Sequence, residues 1–209
     1  RSVLFRPADI GQPKAETAAR ATKEIFDEME VVPLDANIMY GVGLGVFGWA
    51  DVILAGLDNR EARLWINKCA WKMNRPWIDG AIEGINGVAR VFLPGKPPCY
   101  ECTLGATDWK ILSNRLGCAL LTKKEIVSGK TPTTPTTSSV IAGIQVQEAV
   151  KLIHELSVLA GRGYRFEGLE HTSDTITYTE NENCQSHVTF ESIEELDAQS
   201  CEMTLEDLF

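Results

Sequence analysis

The stretch WADVILAGLDN, from Trp49 to Asn59, decides the fold class of this chain. Its core is an unbroken apolar run from Val52 to Leu57 with polar residues on both sides, which is typical of a buried strand. Asp58 and Asn59 follow, and both residue types favour the start of a helix. The next residues, REARLWINKCAWKM, have apolar side chains at helical spacing. A strand that leads directly into a helix indicates the α/β class.

The segment just before this strand reads GLGVFG, from Gly43 to Gly48, and has the G-x-G-x-x-G spacing of a dinucleotide phosphate loop. Such a loop must follow a strand and open a helix whose N-terminus faces the phosphates. Here the glycines precede the strand, so we interpret the segment as a glycine-rich turn or a short helix. A nicotinamide-dependent dehydrogenase is an alternative that rests on this motif alone.

Helices and strands alternate along the chain, which predicts an α/β fold with a mostly parallel, Rossmann-like sheet flanked by helices. Helical spacing extends from Lys14 to Met29 and from Val140 to Leu159. The segments VVPLD, RPWIDG and NGVARVFLPG have strand patterns, and YRFEGLE with DTITYTE predicts a closing hairpin. We assign the irregular, Pro- and Thr-rich region at about 103–139 to a crossover loop.

The composition excludes several classes of protein. The 209 residues carry a formal net charge of −9, whereas a general nucleic-acid-binding protein has a basic stripe. No apolar run approaches the length of a membrane span, and the first residues do not resemble a signal peptide. We therefore expect a cytoplasmic protein without nucleic-acid or membrane partners. Six unevenly spaced cysteines favour metal or thiol chemistry over a disulfide framework.

Asp58 occupies a position where ligands bind in α/β proteins, namely the carboxyl end of a strand. A carboxylate there suits Mg²⁺, a hard cation that takes oxygen ligands and shares them with phosphates. The alternative is that Asp58 only caps the following helix. Lys14, at a predicted helix start, opposes the helix dipole, a mild cost that a phosphate partner would remove.

Two pairs of metal-ligating residues have the same two-residue gap. Cys99 and Cys102 lie in CYEC after a Pro-Gly turn, and Cys184 and His187 lie in NENCQSH. Three thiolates and one imidazole complete a closed tetrahedral zinc site of the structural kind. The rival interpretation is a redox dithiol, which needs a thioredoxin-like βαβ context that is missing here.

The other cysteines carry weaker signals. Cys69 lies on the apolar face of a helix and is expected in the core, and Cys201, in the acidic C-terminal stretch, belongs to no motif. Cys118 follows Gly117 and lies near Lys123 and Lys124, a setting that lowers a thiol pKa. From these residues alone, we expect Cys118 to be buried, with a reactive thiol as the alternative.

Several of these motifs, taken in order, resemble the adenylation domain of the ubiquitin-activating and ThiF/MoeB/HesA superfamily. The resemblance extends from Arg1 to about His187 and rests on these segments: RSVLFRPADIGQPKAETAA, ADVILAGLDNREAR, WIDGAIEGINGVARVFLPGKPPCYECT, SSVIAGIQVQEAVKLI and NENCQSH. Members of that family use ATP and Mg²⁺ to adenylate the C-terminal glycine of a ubiquitin-like or sulfur-carrier protein. Many then form a thioester or an acyl disulfide through a cysteine.

The resemblance implies a role for individual residues. Arg1 resembles the arginine of an N-x-x-R element and Lys14 the lysine of G-x-P-K, and both would contact ATP phosphates. Asp58 resembles the aspartate of D-N-x-x-x-R, which binds Mg²⁺ and supports attack on the α-phosphate, and Asn59 and Arg63 complete that nucleotide-binding motif. The four zinc ligands match the metal pairs of the family, with His187 where cysteine is more usual. Cys118 falls near the thioester cysteine.

The resemblance also implies that part of the domain is missing. The first strand, the glycine-rich loop and the ribose-binding acidic residue of the family would lie upstream of Arg1. We therefore expect residues 1–190 to be a partial adenylation domain, with an acidic extension at 191–209. Family members are usually dimeric, so we expect a homodimer or a pseudo-dimer partner. The alternative is a catalytically silent, zinc-stabilised scaffold that binds a ubiquitin-like protein or an active partner subunit.

Overall fold

The computed structural model describes residues 4–116 and 134–193. Arg1 and Cys118, which the sequence analysis assigned to the site, lie outside the described residues. Much of the crossover loop expected at 103–139 and most of the acidic extension expected at 191–209 also lie outside them.

The described residues form helices, strands and two short 3-10 turns. The helices are α1 (Lys14–Ile25), α2 (Leu44–Trp49), α3 (Arg60–Lys72), α4 (Ala106–Leu116) and α5 (Pro135–Ile153). The strands are β1 (Ile53–Ala55), β2 (Trp77–Glu83), β3 (Asn86–Phe92), β4 (Arg162–Glu167) and β5 (Thr172–Thr177). The 3-10 turns are Pro7–Asp9 and Glu101–Thr103.

The strands form one sheet in the order β1-β2-β3-β4-β5. Within the described residues only β1 and β2 are parallel, and the other neighbouring strands are antiparallel. The expectation of a mostly parallel sheet is therefore wrong for this part of the chain, which forms a mixed sheet. Only Gly84 and Ile85 separate β2 from β3, and so short a connection makes a hairpin, because parallel neighbours need a crossover of about a dozen residues or more.

The elements around β1 agree with the sequence analysis. The glycine-rich GLGVFG segment forms the short helix α2 just before β1, and α3 begins directly after Asn59. The closing hairpin is also confirmed, because β4 and β5 pair in antiparallel register with Tyr164 opposite Thr175.

Other segments differ from the sequence analysis. Residues 31–35, the VVPLD stretch, form no strand among the described residues, because β propensity needs a neighbouring strand to pair with. Helix α4 lies in a region expected to be irregular. Helix α5 begins at Pro135 rather than Val140, because Thr134 caps it by accepting a hydrogen bond from the Thr137 amide at 3.3 Å. Thr and Pro are common in loops and also at helix N-termini, so the composition of this segment did not separate the two.

Helices cover both faces of the sheet. Successive side chains of a strand point to opposite faces, so two neighbouring residues of β2 show what packs on each face. Trp77 of β2 packs in a cluster with Phe92 and with Ala70 of α3. Its neighbour Ile78 packs in a second cluster with Ala149 of α5. The loop from β1 to α3 joins the sheet to the helix layer that contains α3. No helix in residues 4–116 or 134–193 combines the length and apolar character needed to cross a bilayer.

Candidate functional site

The loop between β1 and α3 presents an exposed carboxylate. Asp58 is exposed, and its Oδ1 accepts a hydrogen bond from Asn59 Nδ2 at 3.1 Å. Asn59 is the residue that caps α3, because its Oδ1 accepts from the Ala62 amide at 2.8 Å. Helix capping by Asp58, the alternative weighed from the sequence, is therefore not what this loop uses, and the Asp58 carboxylate keeps one oxygen without a recorded protein donor within the described residues.

Arg63, one turn into α3, is buried and bonded to protein groups. Its Nε donates to Asp79 Oδ1 at 2.7 Å, and its Nη2 donates to the carbonyl oxygens of Leu57 and of Gly80, the latter at 3.2 Å. A longer contact of 3.5 Å joins Nη1 to the carbonyl oxygen of Asn59. Arg63 thus connects the loop that carries Asp58 to strand β2. Its assignment to the nucleotide stays a prediction.

Asp79 is the centre of this network and was not among the site residues predicted from the sequence. Its side chain is fully buried and accepts hydrogen bonds from Arg63 and from Arg90, whose Nε lies 3.0 Å from Asp79 Oδ2. Burial by itself would lower the pKa of Arg90, but the Asp79 carboxylate more than offsets this and raises it above its ordinary value. The sequence feature that could have identified Asp79 is an aspartate inside WIDG, a segment that otherwise has the pattern of a buried strand.

Arg90 extends the network toward the CYEC segment. Its guanidinium carbon lies 5.0 Å from the centroid of the Tyr100 ring, and its Nη1 lies 3.5 Å from Thr103 Oγ1. Burial raises the pKa of the Tyr100 phenol, while Arg90 partly opposes that shift. The backbone of the Asp58 loop and the CYEC segment are therefore linked through Arg63, Asp79 and Arg90.

Lys14 takes part in none of the contacts described above for the Asp58 loop. It is the first residue of α1 and is exposed. Within residues 4–116 and 134–193 no recorded hydrogen bond or ion pair joins its ammonium group to the Asp58 loop. The structure thus brings Asp58, Asn59 and Arg63 together, whereas Lys14 is not among their partners.

Four predicted metal ligands meet in one cluster, which we call the Cys–His cluster: Cys99, Cys102, Cys184 and His187. Their ligand atoms all lie within 4.8 Å of one another. Cys99 Sγ lies 3.8 Å from Cys102 Sγ and 3.6 Å from Cys184 Sγ, and Cys102 Sγ lies 3.3 Å from His187 Nε2. Zinc–sulfur bonds of about 2.3 Å in a tetrahedral site place two sulfurs roughly 3.8 Å apart. The donor set and its spacing therefore fit one tetrahedral zinc ion.

The surroundings of the Cys–His cluster fix the His187 ring. Trp71 of α3 stacks on it with the ring centroids 4.5 Å apart, and Glu180 Oε1 lies 3.8 Å from His187 Nδ1. The nitrogen nearest the sulfurs, Nε2, is thus directed into the cluster. Burial raises the pKa of the thiols of Cys99 and Cys184, which a bound cation would oppose because it stabilises thiolates.

The sheet, the polar loop and the Cys–His cluster define a Rossmann-like α/β protein with a candidate structural metal centre. Comparison with known families narrows this class. The ThiF family model matches residues 1–187, and the chain therefore belongs to the ThiF family. The resemblance identified from the sequence motifs is confirmed.

Relatives with curated names are activating enzymes for ubiquitin-like proteins. The chain is 28% identical over 216 residues to the SAMP-activating enzyme E1 of Haloferax volcanii, covering 99% of this chain and 73% of that enzyme. It is 38% identical over 117 residues to the NEDD8-activating enzyme E1 catalytic subunit of Arabidopsis thaliana, covering 50% of this chain. That match spans only 26% of the plant protein.

Solved structures support the fold. The structure of E. coli MccB with succinimide matches with a TM-score of 0.68 at 21% identity, covering 90% of this chain and 54% of that one. The structure of PaaA matches with a TM-score of 0.60 at 19% identity, covering 85% of this chain and 59% of PaaA. These likenesses show a shared architecture.

Proposed function

We propose that this chain is part of an enzyme that uses ATP to adenylate the C-terminal glycine of a ubiquitin-like or sulfur-carrier protein. The observation that carries the proposal is the exposed Asp58 carboxylate, held by Asn59 at the end of β1 in a ThiF-family chain. The names of the activating-enzyme relatives support the same reaction class.

The reaction requires positive charge, because it brings a carboxylate to a polyphosphate and the two anions repel each other. The carrier carboxylate attacks the α-phosphorus, the bond to the β-phosphate oxygen breaks, and pyrophosphate leaves. Mg²⁺ bound with Asp58 would neutralise phosphate charge. Lys14 is exposed and free to reach an anion, and Arg1 is assigned the same role from the motif resemblance.

We assign the Cys–His cluster to a structural zinc ion. Four protein ligands close a tetrahedral site and leave no position for substrate, so such an ion stabilises the fold and does no chemistry. Metal analysis of the purified protein should find about one zinc per chain. A folded chain without zinc would contradict the assignment.

The unpaired edge of β1 supports the expectation that further family elements complete the sheet. In the described residues β1 pairs only with β2, and Leu54 in its centre is 49% exposed. A central parallel strand normally has neighbours on both sides and both faces covered. The upstream strand–loop–helix, the homodimer, a cytoplasmic location and a thioester on Cys118 stay predictions.

The decisive test is carrier-stimulated ATP–pyrophosphate exchange by the full-length protein, comparing wild type with Asp58→Ala. We expect exchange to fall about 10²- to 10³-fold, the usual cost of removing one group that stabilises transition-state charge. Asp174→Ala is a matched control, because it removes an exposed carboxylate that pairs with Arg165 on the β4–β5 hairpin. Equal exchange by wild type and Asp58→Ala would refute the role of Asp58. Lack of exchange by folded wild-type protein with every carrier offered would favour the scaffold.

A further inference from the structure

A buried charge network lies behind the Asp58 loop. The Asp79 side chain is 0% exposed, and the side chains of its partners Arg63 and Arg90 are 10% and 13% exposed. Desolvating charged groups costs several kcal/mol per ion unless the geometry is good, so buried ions are weak evidence for a purely stabilising role. One carboxylate shared by two guanidinium groups therefore calls for a specific explanation.

The contacts of Arg63 supply that explanation. The guanidinium is planar, with donors in a fixed fork, and here one edge faces Asp79 while Nη2 reaches the carbonyl oxygens of Leu57 and Gly80. Leu57 is the residue directly before Asp58 in the chain. Arg63, which belongs to helix α3, therefore ties the backbone next to Asp58 to Asp79 and Gly80 of strand β2.

Asp79 sets the orientation of the Arg63 fork. Its Oδ1 holds Arg63 Nε at 2.7 Å, and its Oδ2 is held by Arg90 Nε at 3.0 Å and by Arg90 Nη2. Because both oxygens of the Asp79 carboxylate accept hydrogen bonds, its side chain is held in one orientation. That orientation in turn fixes the plane of the Arg63 guanidinium. Without Asp79 the Arg63 fork would lose the contact that aims Nη2 at the loop.

We propose that Arg63 and Asp79 are positioning residues that hold the Asp58 carboxylate in its reactive place without touching the nucleotide themselves. This inference rests on the proposed adenylation, and it gives Arg63 a role different from nucleotide contact. The ligand that Asp58 would bind is a metal–triphosphate. A displacement of the Asp58 carboxylate by about 1 Å from the productive geometry can lower the rate about 10²-fold.

The first test uses Arg63→Lys in the full-length protein, because lysine keeps a cation beside Asp79 but lacks the fork that reaches Leu57 at the same time. We expect kcat for pyrophosphate exchange to fall roughly 10- to 100-fold while KM for ATP stays within about twofold. In Arg63→Lys combined with Asp58→Ala, exchange should be no lower than in Asp58→Ala alone. A large rise in KM for ATP, or losses that multiply in the double variant, would overturn the proposal in favour of direct contact or of independent roles.

The second test does not depend on activity. Hydrogen–deuterium exchange of a peptide covering residues 53–60, which includes the β1 amides that pair with β2, should be about tenfold faster or more in Arg63→Lys and in Asp79→Asn, because loss of the charged hydrogen bond to the Leu57 carbonyl lets this segment open more often. Exchange in the β4–β5 hairpin should stay unchanged, which separates loosening of the loop from unfolding of the domain. Asp174→Asn is the carboxylate-to-amide control, and it should leave deuterium exchange at residues 53–60 at the wild-type rate.

The two tests separate the two proposals. Wild-type protein without pyrophosphate exchange would refute the adenylation, and the deuterium measurement would still report whether Arg63 and Asp79 hold the loop. Unchanged deuterium exchange at residues 53–60 in Arg63→Lys would overturn the positioning role whatever the activity of the wild type, even where Asp79→Asn fails to fold.

Discussion

The Asp58 loop and the Cys–His cluster are assembled in opposite ways. Asp58, Asn59 and Arg63 lie within one short stretch, and their geometry follows from a strand end and the first turn of a helix. The Cys–His cluster joins Cys99 to Cys184 across 85 positions of the chain. The residues of the first site lie in one strand–loop–helix segment, which Arg63 then ties to Asp79 and Gly80 of β2. The second site exists only where segments distant in the chain meet. Damage to the cluster should therefore spread further than damage to the loop.

The largest expected effect comes from Cys184→Ala. Loss of one of four ligands should lower zinc affinity by more than the roughly 10- to 100-fold that a lost outer-shell partner costs. The melting temperature should fall as well, because metal-binding free energy contributes to folding. Zinc content and thermal unfolding measure both effects. Asp58→Ala should retain full zinc and an unchanged melting temperature, and loss of zinc in that variant would break the contrast between the two sites.

A middle-sized effect is expected from Asn59→Ala. Loss of an asparagine N-cap costs about 1 kcal/mol, which corresponds to a melting temperature lower by roughly 2–4 °C in a protein of this size. Asn59→Asp keeps a capping oxygen but loses the Nδ2 that donates to Asp58. It should therefore keep most of the stability and still reduce pyrophosphate exchange. If Asn59→Asp exchanged at the wild-type rate, Asn59 would have no part in orienting Asp58.

The smallest effect concerns Cys69, a buried thiol of α3 outside the Cys–His cluster. Burial raises its pKa, with Lys72 opposing the shift in part. As the pH rises past about 8.5, the unfolded chain loses this proton before the folded protein does. The contribution of protonated Cys69 to the free energy of unfolding is thus complete below that pH and declines above it.

Urea unfolding between about pH 8 and 10 tests this expectation. The free energy of unfolding should fall more steeply in wild type than in Cys69→Ala, by at most about 1.4 kcal/mol per pH unit. Parallel pH dependences would contradict it. Cys69→Ala should also keep its zinc, which makes it the matched thiol control for Cys184→Ala.

Local patterns predicted the parts of the fold that depend on local chemistry. The apolar run predicted β1 and the helical spacing predicted α3. The position of GLGVFG before the strand argued against a phosphate loop and left a glycine-rich turn or a short helix, of which the structure contains the helix. The parallel sheet was wrong because alternation of elements does not specify strand direction, whereas the two-residue connection at Gly84 and Ile85 does. Residues 31–35 failed as a strand because pairing depends on a neighbour.

The sequence by itself determined the family, the position of Asp58 after a strand, and the four residues that form the Cys–His cluster. These features depend on residue types at short spacings. Only the tertiary structure decided that Asn59 and not Asp58 caps α3, and that Asp79 and Arg90 hold Arg63 against the loop. Partners of a buried ion come from separate strands and helices, and the energy of that ion depends on their three-dimensional distances, which spacing along the chain does not encode.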